Sequence, residues 1–515
     1  MSFRRVGWVA AVALATWLEL SCGQVYRPVV IPISITPPNP ANFREVFGIS
    51  ANVPFNQGTA LQIDVSGDTD IGQANMGVNP THAAVLPNNS RVFVASAGSL
   101  FQGDTDVVTA FSPASGGSVA TGLGTLTTFS LPNNTGSFIC SYLPDFVATS
   151  QNNSVYVANY GVENDPKCNF TSTDSVALLN PAEDNITNIR YLPAGAHPVA
   201  MLETADAVNL YVLNQGTNTV ADLSPQDLAT MATIPVGNAP AWAAVRPDSQ
   251  RLYIVTQGDG QLYTIRTDTN AIIPGSPQSV GAGANFVVYD KSRNRLYVTN
   301  PNAGTVYVFD ATTDPPTPMG SATGAVKVPA PAIPANAAPC GAGGCSYSSV
   351  MPVSVAALLD GTRFYVASYI TAAPGSPCPD PTVTVAGCVI PQLTVFDAAT
   401  LTVKTSIFPL LPPGATTQPF ALAPAAFCAP VFPYTPASSR FRMSAAASTD
   451  SSRVYASMCD GGTVAVVATV PNTIATGVNT PDTLVTALPA PFSAAAAPGN
   501  GEPPLQNPVF LLTGQ

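Results

Sequence analysis

One pattern occurs twice between Pro240 and Asp310, and it constrains the fold more than any other feature of the chain. Trp242-Ala-Ala-Val-Arg-Pro-Asp248, Arg251-Leu-Tyr-Ile-Val255 and Gln261-Leu-Tyr-Thr-Ile265 are followed by Phe286-Val-Val-Tyr-Asp290, Arg295-Leu-Tyr-Val-Thr-Asn300 and Thr305-Val-Tyr-Val-Phe-Asp310. Each copy holds three short alternating strands split by two turns. Such a unit cannot bury both faces of its sheet alone, so copies must stack on one another.

The pattern extends along the chain. An aromatic followed by a β-branched or small residue recurs at Phe93, Tyr156, Tyr211, Tyr253, Tyr297, Tyr365 and Tyr455. Thirteen residues earlier stand Pro80, Leu143 (with Pro144 next), Pro198, Pro240, Ala284, Pro352 and Arg442. Proline suits the first residue of a strand, where no ladder donor is needed. Asn- and Gly-containing turns follow the aromatic strand, then a third strand, and in some copies a fourth, as at 125–131 and 231–236. Both residues tolerate positive φ. Four strands per repeat make a propeller blade. The reading is an all-β, seven-bladed β-propeller of four-stranded antiparallel blades, near 80–132, 143–193, 197–237, 239–281, 283–327, 351–408 and 441–470. The N-terminal strand 59–65 is expected to close the ring as the outer strand of the last blade, with 471–515 as a C-terminal extension. The alternative gives 59–77 two strands of an eighth, irregular blade.

Tyr-Val-Ala-Asn at 156–159 and Tyr-Val-Thr-Asn at 297–300 resemble the YVTN family of β-propeller repeats. The resemblance covers roughly 59–470 and implies a bacterial exported or surface protein. It also brings in propeller lactonases, which arrange carboxylate, His and Arg side chains around the central channel. A propeller hosts many functions, so the fold does not name one.

The N-terminus agrees with export. Arg4-Arg5, an apolar run over 6–18 and Leu20-Ser21-Cys22-Gly23 resemble a lipoprotein signal, with 1–21 removed and Cys22 acylated. Residues 22–57 are rich in proline and read as an extended tether. The expectation is a monomer, membrane-anchored in the periplasm or at the cell surface, touching membrane only through its lipid. Without residues 1–21 the chain carries 17 basic and 29 acidic residues and no basic stripe, which excludes nucleic acid as a partner.

Little in the chain reads as catalytic. The two histidines, His82 and His197, fall at different repeat positions, a poor basis for a metal site. Asp68-Thr-Asp70 and Asp104-Thr-Asp106 lack the ligand count of a calcium loop and read as turn acids. No metal and no cofactor is expected. Counting from the strand starts, the channel positions are His82, Asp145, Ala200, Trp242, Phe286, Ser354 and Ser444. Of these, His82, Asp145, Trp242 and Phe286 form a candidate binding mouth, without a convincing acid/base pair. The chain therefore reads as a binding or scaffold module for an envelope protein, peptide or glycan, more than as an enzyme. The alternative is a lactonase-like hydrolase in the channel.

Eight further cysteines in an exported protein point to disulfides. The loop entering a blade and the loop between its second and third strands lie on one face, which pairs Cys140 with Cys168 and Cys428 with Cys459. Cys340 with Cys345 and Cys378 with Cys388 are then bridges within loops. That face also takes the long insertions, whereas the opposite face carries tight turns such as 87–90, 247–250 and 360–362. Function is expected on the first face.

Overall fold

The computed structural model describes residues 45–51, 57–98, 107–113, 127–130, 142–165, 171–332, 346–373, 376, 388–408, 428, 442–470, 480–489 and 507–514. The proposed signal, Cys22 and most of the tether lie outside these residues. So do Cys140, Cys168, Cys340, Cys345, Cys378 and the side chain of Cys388.

Among the described residues the sheets are antiparallel throughout and number eight, which corrects the expected seven. Eight innermost strands ring the axis: Pro80–Val85, Pro144–Thr149, Pro198–Glu203, Pro240–Val245, Phe286–Asp290, Met351–Ala357, Met443–Ala447 and Pro508–Thr513. Blades 1 to 7 follow the chain outward from the first seven of these. In blades 4 and 5 the outermost position is split, into Ala271–Ile272 with Gln278–Ser279 and Thr317–Pro318 with Ala325–Lys327.

Blade 8 is assembled from both ends of the chain. Its innermost strand is Pro508–Thr513, and its outer three are Glu45–Ser50, Gln57–Asp64 and Thr69–Val78. The expected closure is therefore wrong in place: Gln57–Asp64 is the third strand of blade 8, while Thr483–Pro489, read as extension, is the outermost strand of blade 7. The repeat is nonetheless intact there. Phe47 is buried in the second strand just as Phe93, Tyr156, Tyr211, Tyr253, Tyr297, Tyr365 and Tyr455 are in the other blades. Pro508 supplies the proline that elsewhere stands thirteen residues upstream, so a fixed count along the chain cannot find it.

Alternation decides what each blade buries. Along Glu45–Ser50, Val46 packs with Tyr455 and Val464 of blade 7, while Phe47 and Ile49 pack with Val92, Val94 and Phe111 of blade 1. Each such fully buried side chain stabilises the stack by about 1.5–3 kcal/mol.

Polar groups tie the turns together. In the Tyr-Val-Thr-Asn copy, the Asn300 side-chain amide donates to the carbonyls of Val280 (2.7 Å) and Gly281 (2.9 Å), and its Oδ1 accepts from Ala303 N–H. Asn218, Asn270 and Asn294 occupy left-handed turn positions. On the opposite face the first hairpins are tight: Leu86 N–H donates to Arg91 O, Arg246 N–H to Arg251 O and Leu358 N–H to Arg363 O.

A ring of latches runs around that turn face. An arginine two residues before the buried aromatic reaches the outer hairpin of the next blade: Arg91 to Asp184, Arg251 to Asp314, Arg295 to Ala398 O, Arg363 to Asp482 and Arg453 to Asp68. Blade 3 uses Tyr211 instead, whose hydroxyl donates to Asn270 Oδ1 at 2.8 Å. On the other face, Cys428 and Cys459 are joined in a disulfide that is fully buried beside Ala51 and Val509, at the seam between blades 7 and 8.

Candidate functional site at the channel mouth

The local backbone decides which side chains reach the channel. Asn79, Leu143, His197 and Ala239, each preceding a strand-opening proline, have φ between +47° and +55°. Their carbonyls accept from Ala97, Tyr160, Gln215 and Gln257. A register shift follows, between Pro80 and His82, Pro144 and Phe146, Pro198 and Ala200, Pro240 and Trp242, and Pro352 and Ser354. Such a bulge re-aims the side chain after it.

The equivalent positions are therefore His82, Phe146, Ala200, Trp242, Phe286, Ser354, Ser444 and Phe510, paired in turn with Ala95, Ala158, Leu213, Val255, Thr299, Ala367, Ser457 and Ile49. This corrects Asp145. The first hairpin of blade 2 is one residue shorter than its counterparts, with Ala148 opposite Tyr156 where Ala84 is opposite Phe93. A count back from the aromatic thus lands one residue early. Asp145 is the buried bulge residue, and its carbonyl accepts from Thr81 Oγ1 at 2.8 Å.

Aromatic rings gather where charge might have been. His82 stacks on Phe146 at 3.7 Å between centroids and lies 4.3 Å from Phe510. Trp242 comes from blade 4, yet its ring is 6.0 Å from His82 of blade 1, 5.6 Å from Phe146 and 5.3 Å from Phe286. It also packs against the hydrophobic clusters of blades 2 to 4, of blades 4 and 5, and of blades 6 and 7. An indole touching blades on opposite sides of the ring occupies the axis. Ala200, Ser354 and Ser444 are small and leave room for it. Trp242, Phe286 and Phe510 stay partly exposed, so the cluster presents aromatic surface.

The proton chemistry of these positions is limited. His82 Nδ1 is 3.1 Å from Val147 O, and none of the eight positions carries a carboxylate. The second histidine is paired elsewhere, at the junction of blades 2 and 3. His197 Nδ1 lies 3.1 Å from Asp174 Oδ1 and 3.0 Å from Tyr160 O, and its ring stacks on Tyr160 at 4.4 Å. The Asp174 hydrogen bond raises the His197 pKa against the opposing effect of burial. Burial pushes Asp174 up, but hydrogen bonds from His197 and Ser172 outweigh it and hold the carboxyl below its ordinary range. Asp174 also accepts from the N–H groups of Gly195 and His197, so the pair joins the long loop of blade 2 to the entrance of blade 3.

Sequence reasoning placed His82, Trp242 and Phe286 together, and these three do meet. It missed Phe146, for the hairpin reason above, and Phe510, which stands two residues after a proline like the others but at the far end of the chain.

These features define the protein as an eight-bladed β-propeller with an aromatic cluster at the channel. No family model and no curated protein matches the chain. Among solved structures it is similar to a putative 6-phosphogluconolactonase from Bacteroides fragilis, with 14% identity over 72% of this chain and 96% of that one and a TM-score of 0.45. It is also similar to apo AztD from Citrobacter koseri, with 10% identity over 92% and 98% and a TM-score of 0.48. A third is virginiamycin B lyase from Staphylococcus aureus, with 10% identity over 74% and 92% and a TM-score of 0.43.

Proposed function

We propose that the protein is a YVTN-like binding or scaffold module of the bacterial cell envelope, exported through residues 1–21 and held by a lipid on Cys22. Its ligand, a protein, peptide or glycan, is met at the mouth of the channel. The observation that carries this reading is the partly exposed Trp242, buttressed by Phe286, His82 and Phe146. A rigid aromatic that packs on its neighbours and stays partly exposed gives contact area at little entropic cost, the usual character of a binding anchor. The lactonase-like alternative needs an acid and a base converging on the channel, and His82 is the one titratable side chain among its eight aromatic-level positions.

Tryptophan fluorescence tests the proposal directly, because the other two tryptophans are Trp8 and Trp17. In a chain that starts at Cys22, emission reports Trp242 alone. Envelope components retained by the immobilised protein should shift that emission, and W242A should lose them. Equal retention by W242A, folded by circular dichroism, sinks the reading.

A further inference from the structure

A cavity opens on the face of tight turns, at the junction of blades 1 and 2. Its volume is about 490 Å³, within the roughly 300–1,000 Å³ of small-molecule sites. Its cause is visible. The first hairpin of blade 2 is the one that is a residue short, and Glu203 of blade 3 holds it: Ser150 Oγ (2.8 Å), Gln151 N–H (2.9 Å) and Tyr156 OH (3.0 Å) all donate to that carboxylate. The short turn is thereby anchored on its blade 3 side, and the space on its blade 1 side stays open.

The lining has a definite chemistry. Asn88, Asn152, Asn153, Asn180 and Ser154 contribute amides and a hydroxyl, over an apolar floor that includes Leu86 and Leu179. Asn88 and Asn180 spend only their Oδ1 atoms, on Ser90 and on Ala182 N–H, which leaves their NH₂ groups. The side chains of Asn152, Asn153 and Ser154 make no hydrogen bond to described residues. Arg91 is the one cation in the wall, and Asp184 neutralises it at 2.5 Å.

We infer that this cavity binds a neutral saccharide. Side-chain amides donate and accept in the same plane, as vicinal hydroxyls require. The wall offers no net charge to an ionic ligand, and the more exposed Pro181 and Ala182 can meet the C–H face of a sugar ring. A free disaccharide and the neutral end of a longer glycan share this chemistry. The inference is independent of the channel-mouth reading, which concerns the other face.

The test uses the full chain. Saturation-transfer NMR with maltose, cellobiose and N,N′-diacetylchitobiose probes the free sugars, and cosedimentation with insoluble glycans probes the longer ones. At least one arm should give saturable binding in the millimolar range or tighter, at least tenfold weaker in N152A/N153G. Those substitutions remove amides without internal partners, and glycine keeps the left-handed backbone of residue 153, at φ +60°. Their melting temperature should match the parent. No binding in either arm, binding by N152A/N153G within twofold of the parent, or tenfold preference for glucuronate over neutral sugars would overturn the inference.

Discussion

Arg453 and Asp68 stand 385 positions apart in the chain, yet the guanidinium Nε lies 2.9 Å from Asp68 Oδ1 and Nη2 lies 2.9 Å from Oδ2. The pair joins blade 7 to blade 8, with its side chains only 8% and 10% exposed. Removing one member of a buried pair leaves the other charge uncompensated, which costs about 3–5 kcal/mol. R453A and D68A should each lower the urea midpoint strongly, and the double variant should lose much less than the sum. R91A, whose partner Asp184 is 47% exposed, should cost under about 1 kcal/mol. Equal losses at the two latches would contradict this ranking.

Closure from both ends makes the two termini of the ring interdependent. A chain ending at residue 506 lacks Val509 and Leu511 and leaves one edge of Glu45–Ser50 unpaired. Its thermal midpoint should fall as far as that of a chain lacking 45–65, and both should bind a hydrophobic dye. A truncated chain that melts like the parent would show that blade 8 does not hold the ring.

Glu45 gives the same seam a pH dependence. Burial first, and then the Asp64 charge, push its pKa up to about 7 against a lowering hydrogen bond with Gln62. The folded state thus favours the protonated acid. Its cost is absent below the ordinary carboxylate range, grows as pH rises, and is complete above about pH 7. E45Q should therefore match the parent near pH 4 and exceed it near pH 8, by about 1 kcal/mol once solvent screening of this half-buried group is allowed for. Chemical denaturation at the two pH values decides it, and a gain at the acidic end alone would refute the assignment.

The Cys428–Cys459 bridge spans 31 residues. Cross-linking a loop of that size stabilises by about 3–4 kcal/mol through the unfolded chain. C428S/C459S should lower stability by that order, and added reductant should do nothing further to this seam. Ala51, whose N–H donates at 2.8 Å to the carbonyl of Asn507, the residue that holds Cys459 O through its side chain, should lose hydrogen-exchange protection first. Unchanged protection there would separate the bridge from the closure.

The strands were legible because alternation and turn chemistry are local. Tyr253 and Tyr297 announce buried second strands through the residues beside them, and Pro198 and Pro240 announce strand starts. Half of blade 8 was legible, as the alternative that gave 59–77 two strands of an eighth blade, but its closure was not, because its register is written in two segments that meet only in the closed ring. The error at Asp145 has a smaller cause of the same kind, since one residue lost from a hairpin shifts every position counted through it. The latch arginines do carry a signal, in Arg251-Leu-Tyr, Arg295-Leu-Tyr, Arg363-Phe-Tyr and Arg453-Val-Tyr. Their partners carry none: Asp68 reads as an ordinary turn acid, and only the neighbouring blade reveals what it holds.

The split blade also imposes an order of events during synthesis. Three strands of blade 8 leave the ribosome among the first eighty residues, and their innermost partner, Pro508–Thr513, follows only after all seven other blades. Until then Glu45–Ser50 waits with an open edge, the state in which a sheet is most prone to pair with the wrong chain. Translation that stops between Pro489 and Pro508 yields seven blades and an unfilled gap. The last strand thus works as a proofreading step, since a chain cut short anywhere before it cannot hide that edge.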